Sequence, residues 1–273
     1  MYSVVVLTLN EERSLPVCLA SVTACDDVVV LDSGSADRTV EIARAMGARV
    51  AVNPFVNFAQ QRNHAQAMIP FRHEWVFHLD ADEAMTPELN AECHTFAATP
   101  ESTRIDGCYV APRMMFRGRW IPHCTDYPAY QARFAHAARF RFVQSGHGQR
   151  EAPGLRMARF RAGYLHNLSA QPESALVAKH AGYAHAEAAS YLRSRRSGRE
   201  LRAALLSGDP LQRRRAVKEL SCSLPLRGTL RFAYQYLLRG GFLDGSPGFA
   251  YCRMLARYER DISREIHRLR STP

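Results

Sequence analysis

Along the first third of the chain, short apolar runs alternate with stretches of helical period, and each run ends in polar residues. Val4-Val5-Val6-Leu7 is a β-branched run suited to a strand buried on both faces, and it stops at Thr8-Leu9-Asn10-Glu11-Glu12. Leu15, Cys18, Leu19 and Val22 then recur at helical spacing. Val28 to Leu31 repeats the strand signal and stops at Asp32-Ser33-Gly34-Ser35-Ala36-Asp37. The next helix carries Val40, Ile42, Ala43 and Met46, with Asp37 suited to its start and Gly47 to its end. Residues 49–52 form a third strand, about 59–68 a helix, and 75–80 a fourth strand. Strand and helix repeated in this way predict a parallel sheet with right-handed crossovers.

In such a sheet ligands bind outside the carboxyl ends of the strands. Those ends here carry Asn10 and Glu11, then Asp32, Gly34, Ser35 and Asp37, then Asp80 and Asp82. Each cluster alone could be turn and cap chemistry, but they recur at three of the four strand ends. The fourth end, Leu79-Asp80-Ala81-Asp82-Glu83, puts three carboxylates together, which no apolar core accommodates. Asp80 and Asp82 can point to the same side of the strand, and two hard oxygen donors there suit a divalent cation that takes the rest of its shell from phosphate and water. No G-x-G-x-x-G and no G-x-x-x-x-G-K-[ST] occurs, which disfavours a dinucleotide fold and a P-loop.

Thr86-Pro87-Glu88 reads as a helix start, with the helix running to about 98, and Cys108 to Val110 reads as a strand. Residues 112–150 are rich in aromatics and arginines, which suit sugar rings, phosphates and stacked bases as well as a basic solvent face. Helices are expected over about 172–196, 226–239 and 249–269. In the second of these, Leu226, Leu230, Tyr234 and Leu237 form a stripe with Arg227, Arg231 and Arg239 beside it. Such a helix either lies on an anionic membrane or packs on the core with a basic edge in water.

Composition is that of a globular protein, 47% hydrophobic and 23% charged, but a formal charge of +10 predicts an anionic partner. The seven cysteines are scattered without a C-x-x-C pair, which reads as reduced thiols inside a cell. Neither a secretory signal nor an apolar run of spanning length is visible. The expected location is the cytoplasm, or the inner face of the cytoplasmic membrane as a peripheral protein.

The chain resembles the family-2 glycosyltransferases, in particular the branch similar to bacterial lipopolysaccharide-core glucosyltransferases. The residues that carry this are Thr8-Leu9-Asn10-Glu11-Glu12, Val29 to Thr39, Gln61-Arg62-Asn63-His64-Ala65 and Leu79-Asp80-Ala81-Asp82-Glu83. Gly118-Arg119-Trp120-Ile121, Gln131-Ala132-Arg133-Phe134 and Arg239-Gly240-Gly241-Phe242-Leu243-Asp244-Gly245 extend the match. The resemblance implies an α/β GT-A fold, a mostly parallel sheet flanked by helices. Residues 1–170 would be the catalytic domain, with a nucleotide-sugar half (1–100) and an acceptor half (101–170), and residues 171–273 a basic helical extension. It implies an inverting transfer from a nucleotide-sugar, a UDP-sugar foremost, to a lipid-linked, lipopolysaccharide or exopolysaccharide acceptor.

By motif position, Asp32 would hold the edge of a uracil-type base, with Thr8, Asn10, Glu11 and Ser35 shaping the pocket. Arg62 would approach the base or pyrophosphate, and Asp80 and Asp82 would touch ribose and Mg²⁺ or Mn²⁺. Inversion also needs a base for the acceptor hydroxyl. The related branch has a His-Glu pair where this chain has Arg150-Glu151, so Glu151 is the candidate, with His147 and Asp126 as rivals. A nucleotidyltransferase would also use paired acids, but the first strand lacks its glycine-rich basic loop. A nucleic-acid-binding protein would explain the charge and leave the strand-end carboxylates unexplained, so no nucleic acid is expected as a partner.

Overall fold

The four apolar runs come together as parallel strands in the order β3-β2-β1-β4, with β1 at Ser3–Thr8, β2 at Val28–Asp32, β3 at Arg49–Val52 and β4 at Trp75–Asp80. The structure is a computed structural model and describes residues 1–145, 148–170, 173–194, 197–222, 224 and 226–271. Val5 and Val6 of β1 pair with Val29 and Val30 on one side and with His78 and Leu79 on the other, so every residue of β1 is buried. Three helices cover the strands: α1 (Leu15–Ala20), α2 (Thr39–Ala45) and α3 (Phe58–Met68). Side-chain alternation sends Val4, Val6, Phe77 and Leu79 to the face that packs Leu15, Leu19 and Ala43. Val5, Leu7 and Val76 go to the opposite face, against Ala65 and Ile69.

Beyond β4 come β5 (Glu83–Ala84), α4 (Pro87–Ala97), β6 (Gly107–Phe116), β7 (Arg119–Trp120) and β8 (Gln131–His136). A hairpin of β9 (Phe142–Ser145) and β10 (Gly148–Glu151) and the long β11 (Met157–Asn167) follow. The main sheet runs β3-β2-β1-β4-β8-β6-β11-β5, with β8 antiparallel between β4 and β6 and β11 parallel to β6. The strand read at Cys108–Val110 is thus the start of a ten-residue strand. β11 alternates at Arg159, Phe160 and Arg161, exposed, buried and exposed, and loses that alternation at Ala162-Gly163. The register shifts there, and the Glu92 carboxylate accepts the N–H groups of Arg161 and Ala162.

The chain divides into two compact units, Met1–Trp120 with Asp126–Ala170, and Ile121–Thr125 with Gln171–Pro273. The second is helical: α5 (Glu173–Ser194), α6 (Gly198–Leu205), α7 (Pro210–Ser221), α8 (Arg227–Ala233), a π-helical turn over Tyr234–Leu238, and α9 (Gly245–Ser271). Residues 121–125 belong to it because the buried Asp244 carboxylate accepts the N–H groups of His123 and Cys124 and meets His123 Nδ1 at 2.7 Å. Gly241 fits this junction for want of a Cβ, which would stand 2.8 Å from the Gln235 carbonyl oxygen. The arginine stripe expected along α8 does not form. Arg227 is buried and pairs with Glu259 of α9, and Arg239 donates to the Thr125 carbonyl, while the leucines face out.

Candidate active site

The loops after β1 and β2 are laced together by side chains. The Asn10 N–H donates to Ser35 Oγ at 2.8 Å, and Asn10 Oδ1 accepts the Ala36 N–H at 2.8 Å. The Glu11 N–H donates to Thr39 Oγ1, and the Glu12 N–H to Asp37 Oδ2. Asn10 holds a left-handed backbone (φ 56°), which asparagine tolerates better than most residues. Asp32 sits beneath this lacing. It accepts from Thr8 Oγ1, Ser35 Oγ and the N–H groups of Gly34 and Ser35, so its lone pairs are filled from within the chain. Burial works against its charge, but these hydrogen bonds outweigh it and hold the carboxyl below the ordinary aspartate range.

At the end of β4, charge is buried in pairs. Arg62 on α3 is fully buried, and its Nη2 donates to Asp80 Oδ1 at 2.7 Å. Arg133 on β8, 3% exposed, donates from Nη2 to Asp80 Oδ2 at 3.0 Å and to Glu83 Oε1 at 2.6 Å. Its Nε reaches the Tyr164 hydroxyl and its Nη1 the His78 carbonyl. Glu83 Oε2 accepts the N–H of Asp80, closing the ring of contacts. Burial opposes the charge on Asp80, yet Arg133 and Arg62 keep its carboxyl well below the usual range. Burial pushes the Glu83 carboxyl up, against the pull of Arg133. Arg62 Nε and Nη1 find no hydrogen-bond partner among the described residues.

Asp82 is set apart from this cluster. Its Oδ2 lies 3.5 Å from Nε2 of His166 on β11, and the other ring nitrogen of His166 lies 3.5 Å from Glu83 Oε1. Burial lowers the imidazolium of His166, but Asp82, Glu83 and Asp80 together raise it on balance. Asp82 borders a cleft of about 470 Å³ that Arg13, Ser14, Val17, Asn167 and Ser169 also line. A carboxylate and an imidazole at this spacing suit a first-row divalent cation or Mg²⁺ between them. Both oxygens of Asp80 are already held by arginine. No group of three His, Cys, Asp or Glu stands ready as a complete ligand set among the described residues, so substrate oxygens and water would fill the remaining positions.

Of the base candidates, Glu151 ends β10, where it pairs with Phe142, and its carboxylate is a near neighbour of the Tyr109 hydroxyl. Burial and that contact push the Tyr109 hydroxyl up to about 12. The Phe142 ring lies 5.8 Å from the Arg62 guanidinium carbon, so Glu151 is one residue removed from the Arg62–Asp80 pair. Asp126 is exposed in a turn just before the cis Tyr127–Pro128 bond. His147 lies outside the described residues. Sequence reasoning gave no role to Arg133, Glu83, Tyr164 or His166. Arg133 was the findable one, since a charge between Ala132 and Phe134 in a strand implies a buried partner.

Residues 3–162 match the family model of glycosyl transferase family 2. The chain belongs to that family. Its fold is accordingly GT-A, with the parallel β3-β2-β1-β4 core and its covering helices inside the matched residues. An uncharacterized glycosyltransferase of Rickettsia typhi is 33% identical over 117 residues, 42% of this chain and 39% of that protein. The lipopolysaccharide core biosynthesis glycosyltransferase LpsC of Rhizobium meliloti is 30% identical over 92 residues, 32% of this chain and 33% of that one. The matched stretch thus spans about two-fifths or less of these curated relatives. Among solved structures, glucosyl-3-phosphoglycerate synthase from Mycobacterium tuberculosis, in complex with Mn²⁺, uridine-diphosphate-glucose and phosphoglyceric acid, is 26% identical. That likeness covers 42% of this chain and 44% of that one, at a TM-score of 0.35. S. aureus TarS 1-349 is 15% identical, with 100% of this chain and 92% of that one covered at a TM-score of 0.42.

Proposed function

We propose that the protein is an inverting glycosyltransferase, using a nucleoside-diphosphate sugar, a UDP-sugar foremost, as donor. Family membership gives the reaction class, and the Asp82–His166 pair beside the arginine-held Asp80 is the observation that carries the rest. In the reaction an acceptor hydroxyl attacks the anomeric carbon as the bond to the diphosphate breaks. Asp82 and His166 would hold Mg²⁺ or Mn²⁺, which supplies charge neutralisation to the departing diphosphate. Asp80, fixed at both oxygens, is suited to the ribose hydroxyls rather than to the metal. Asp32, Thr8, Asn10, Glu11 and Ser35 would form the base-binding wall. A base N–H can reach Asp32 by displacing the Ser35 hydroxyl, since the Gly34 and Ser35 N–H groups still steady the carboxylate. Arg62, with unpartnered N–H groups, would support the diphosphate side through Asp80. Glu151 would take the acceptor proton.

The acceptor proposed is a lipid-linked or lipopolysaccharide-type saccharide, in keeping with the name of the LpsC relative. The protein would meet it as a peripheral protein on the inner face of the cytoplasmic membrane. Titrating UDP-sugars into the protein with and without Mn²⁺ tests the donor reading. Binding should tighten with metal, and Asp82→Ala and His166→Ala should each weaken it by about tenfold or more. Equal affinity in EDTA would remove the metal from the proposal.

A further inference from the structure

We propose that the outward face of α8, with the cleft beside it, docks on an anionic phospholipid bilayer. This deepens the reading above, since a lipid-linked acceptor lies in such a surface. Leu226, Leu230, Tyr234 and Leu237 recur at intervals of three and four residues and are 75, 50, 45 and 60% exposed. They make one stripe about 16 Å long. The other side packs on α9 through Phe232 and Tyr236, whose rings meet Phe249, and through small or polar residues. Gln235 is 1% exposed, and a Cβ at Gly228 would stand 2.4 Å from the Ala256 carbonyl oxygen of α9. With its packing face already filled by these groups, the leucine stripe is a second apolar face that the described residues leave exposed.

The cleft beside the stripe, about 530 Å³, continues the pattern. Val217 and Leu224 line it with Leu230 and Tyr234, and Ser221, Arg227, Arg231 and Glu259 are its polar members. Residues 171–273 hold 19 Lys and Arg against 9 Asp and Glu, whereas residues 1–170 hold 17 of each, so the whole formal charge of +10 resides in this helical segment. On α9 the exposed Arg253, Arg257, Arg260 and Arg264 recur at helical spacing. A second copy of the chain would cover the leucines and bring two such charges together. A nucleic acid would use the charge and leave the leucines in water. Anionic head groups over an acyl boundary take both, with Tyr234 suited to the depth where they meet.

The test is flotation of the full chain with vesicles of phosphatidylethanolamine and phosphatidylglycerol, against vesicles of phosphatidylcholine alone. The protein should float with the first and not the second. Leu230→Glu and Leu237→Glu, both at exposed positions, should each cut flotation by about tenfold while circular dichroism is unchanged. The double change Arg257→Glu with Arg264→Glu should do likewise. Absence of the wild type from the anionic vesicles overturns the proposal, as does flotation of the leucine variants at the wild-type level. A dimer by light scattering that Leu237→Glu dissociates assigns the face to a second copy instead. Binding to duplex DNA in preference to vesicles, indifferent to the leucine changes, assigns the charge to nucleic acid. UDP-sugar binding by the same variants reads the donor site separately, so failure there and failure on vesicles are told apart.

Discussion

At the scale of single residues, Arg133 carries more of the site than any group named by motif alone. It satisfies Asp80, Glu83, the His78 carbonyl and Tyr164 at once, in a place where an uncompensated carboxylate is costly. Arg133→Met should therefore lower stability by about 3–5 kcal/mol in denaturant unfolding. Arg133→Lys should recover only part of that loss, because one ammonium cannot reproduce the forked contacts. A second residue governs acid stability. Asp106 is gripped by Arg156, with Arg139 behind it, and its carboxyl is held down to about 2. Its folded value lies below the unfolded one, so its contribution is complete above about pH 4 and is lost as pH falls toward 2. Thermal midpoints measured from pH 5 downward should fall more steeply for the wild type than for Asp106→Asn. Asp80 and Asp82 were legible in the sequence because paired carboxylates at the end of an apolar strand stand out, whereas Glu83, expected to face water or a ligand, is buried against Arg133. Of their partners, Arg133 left only the trace of a charge between Ala132 and Phe134 and His166 left none, because both sit in strands whose pairing comes from residues far along the chain.

At the scale of elements, the central strands were legible to within a residue or two because both faces of β1, β2 and β4 are buried and their runs are almost wholly apolar. β8 escaped because it buries Arg133 and His136 among its apolar residues, and β11 because it is short of large apolar side chains and shifts register partway. That irregular strand nevertheless carries Tyr164 and His166 into the site, and Gly163 lets it approach β6. A Cβ at Gly163 would stand 2.3 Å from the Ala111 carbonyl oxygen, a backbone atom with little freedom to retreat. Gly163→Ala should cost roughly 1–3 kcal/mol of stability. Its weakening of UDP-sugar binding should exceed that of a surface change of equal size on α4, because His166 moves with the strand. Calorimetric titration beside thermal unfolding separates the two effects.

At the scale of the whole molecule, charge and chemistry are divided between the two units. Residues 1–170 are electrically balanced and hold every described member of the proposed donor site, while residues 171–273 hold the net charge. Raising NaCl from about 0.05 to 0.5 M should weaken attachment to anionic vesicles by about tenfold or more, while UDP-sugar affinity moves by about threefold or less. No helix among the described residues is long and apolar enough to cross a membrane, so any attachment through helices is to a surface. The outward leucines of α8 then bear on the kinetics of encounter. A protein resting on them searches for its acceptor in two dimensions, where a sparse lipid reaches an effective concentration on the order of millimolar. The intrinsic affinity for the saccharide can then be weak, and a water-soluble fragment of the acceptor would be a poor substrate even with every sugar contact intact.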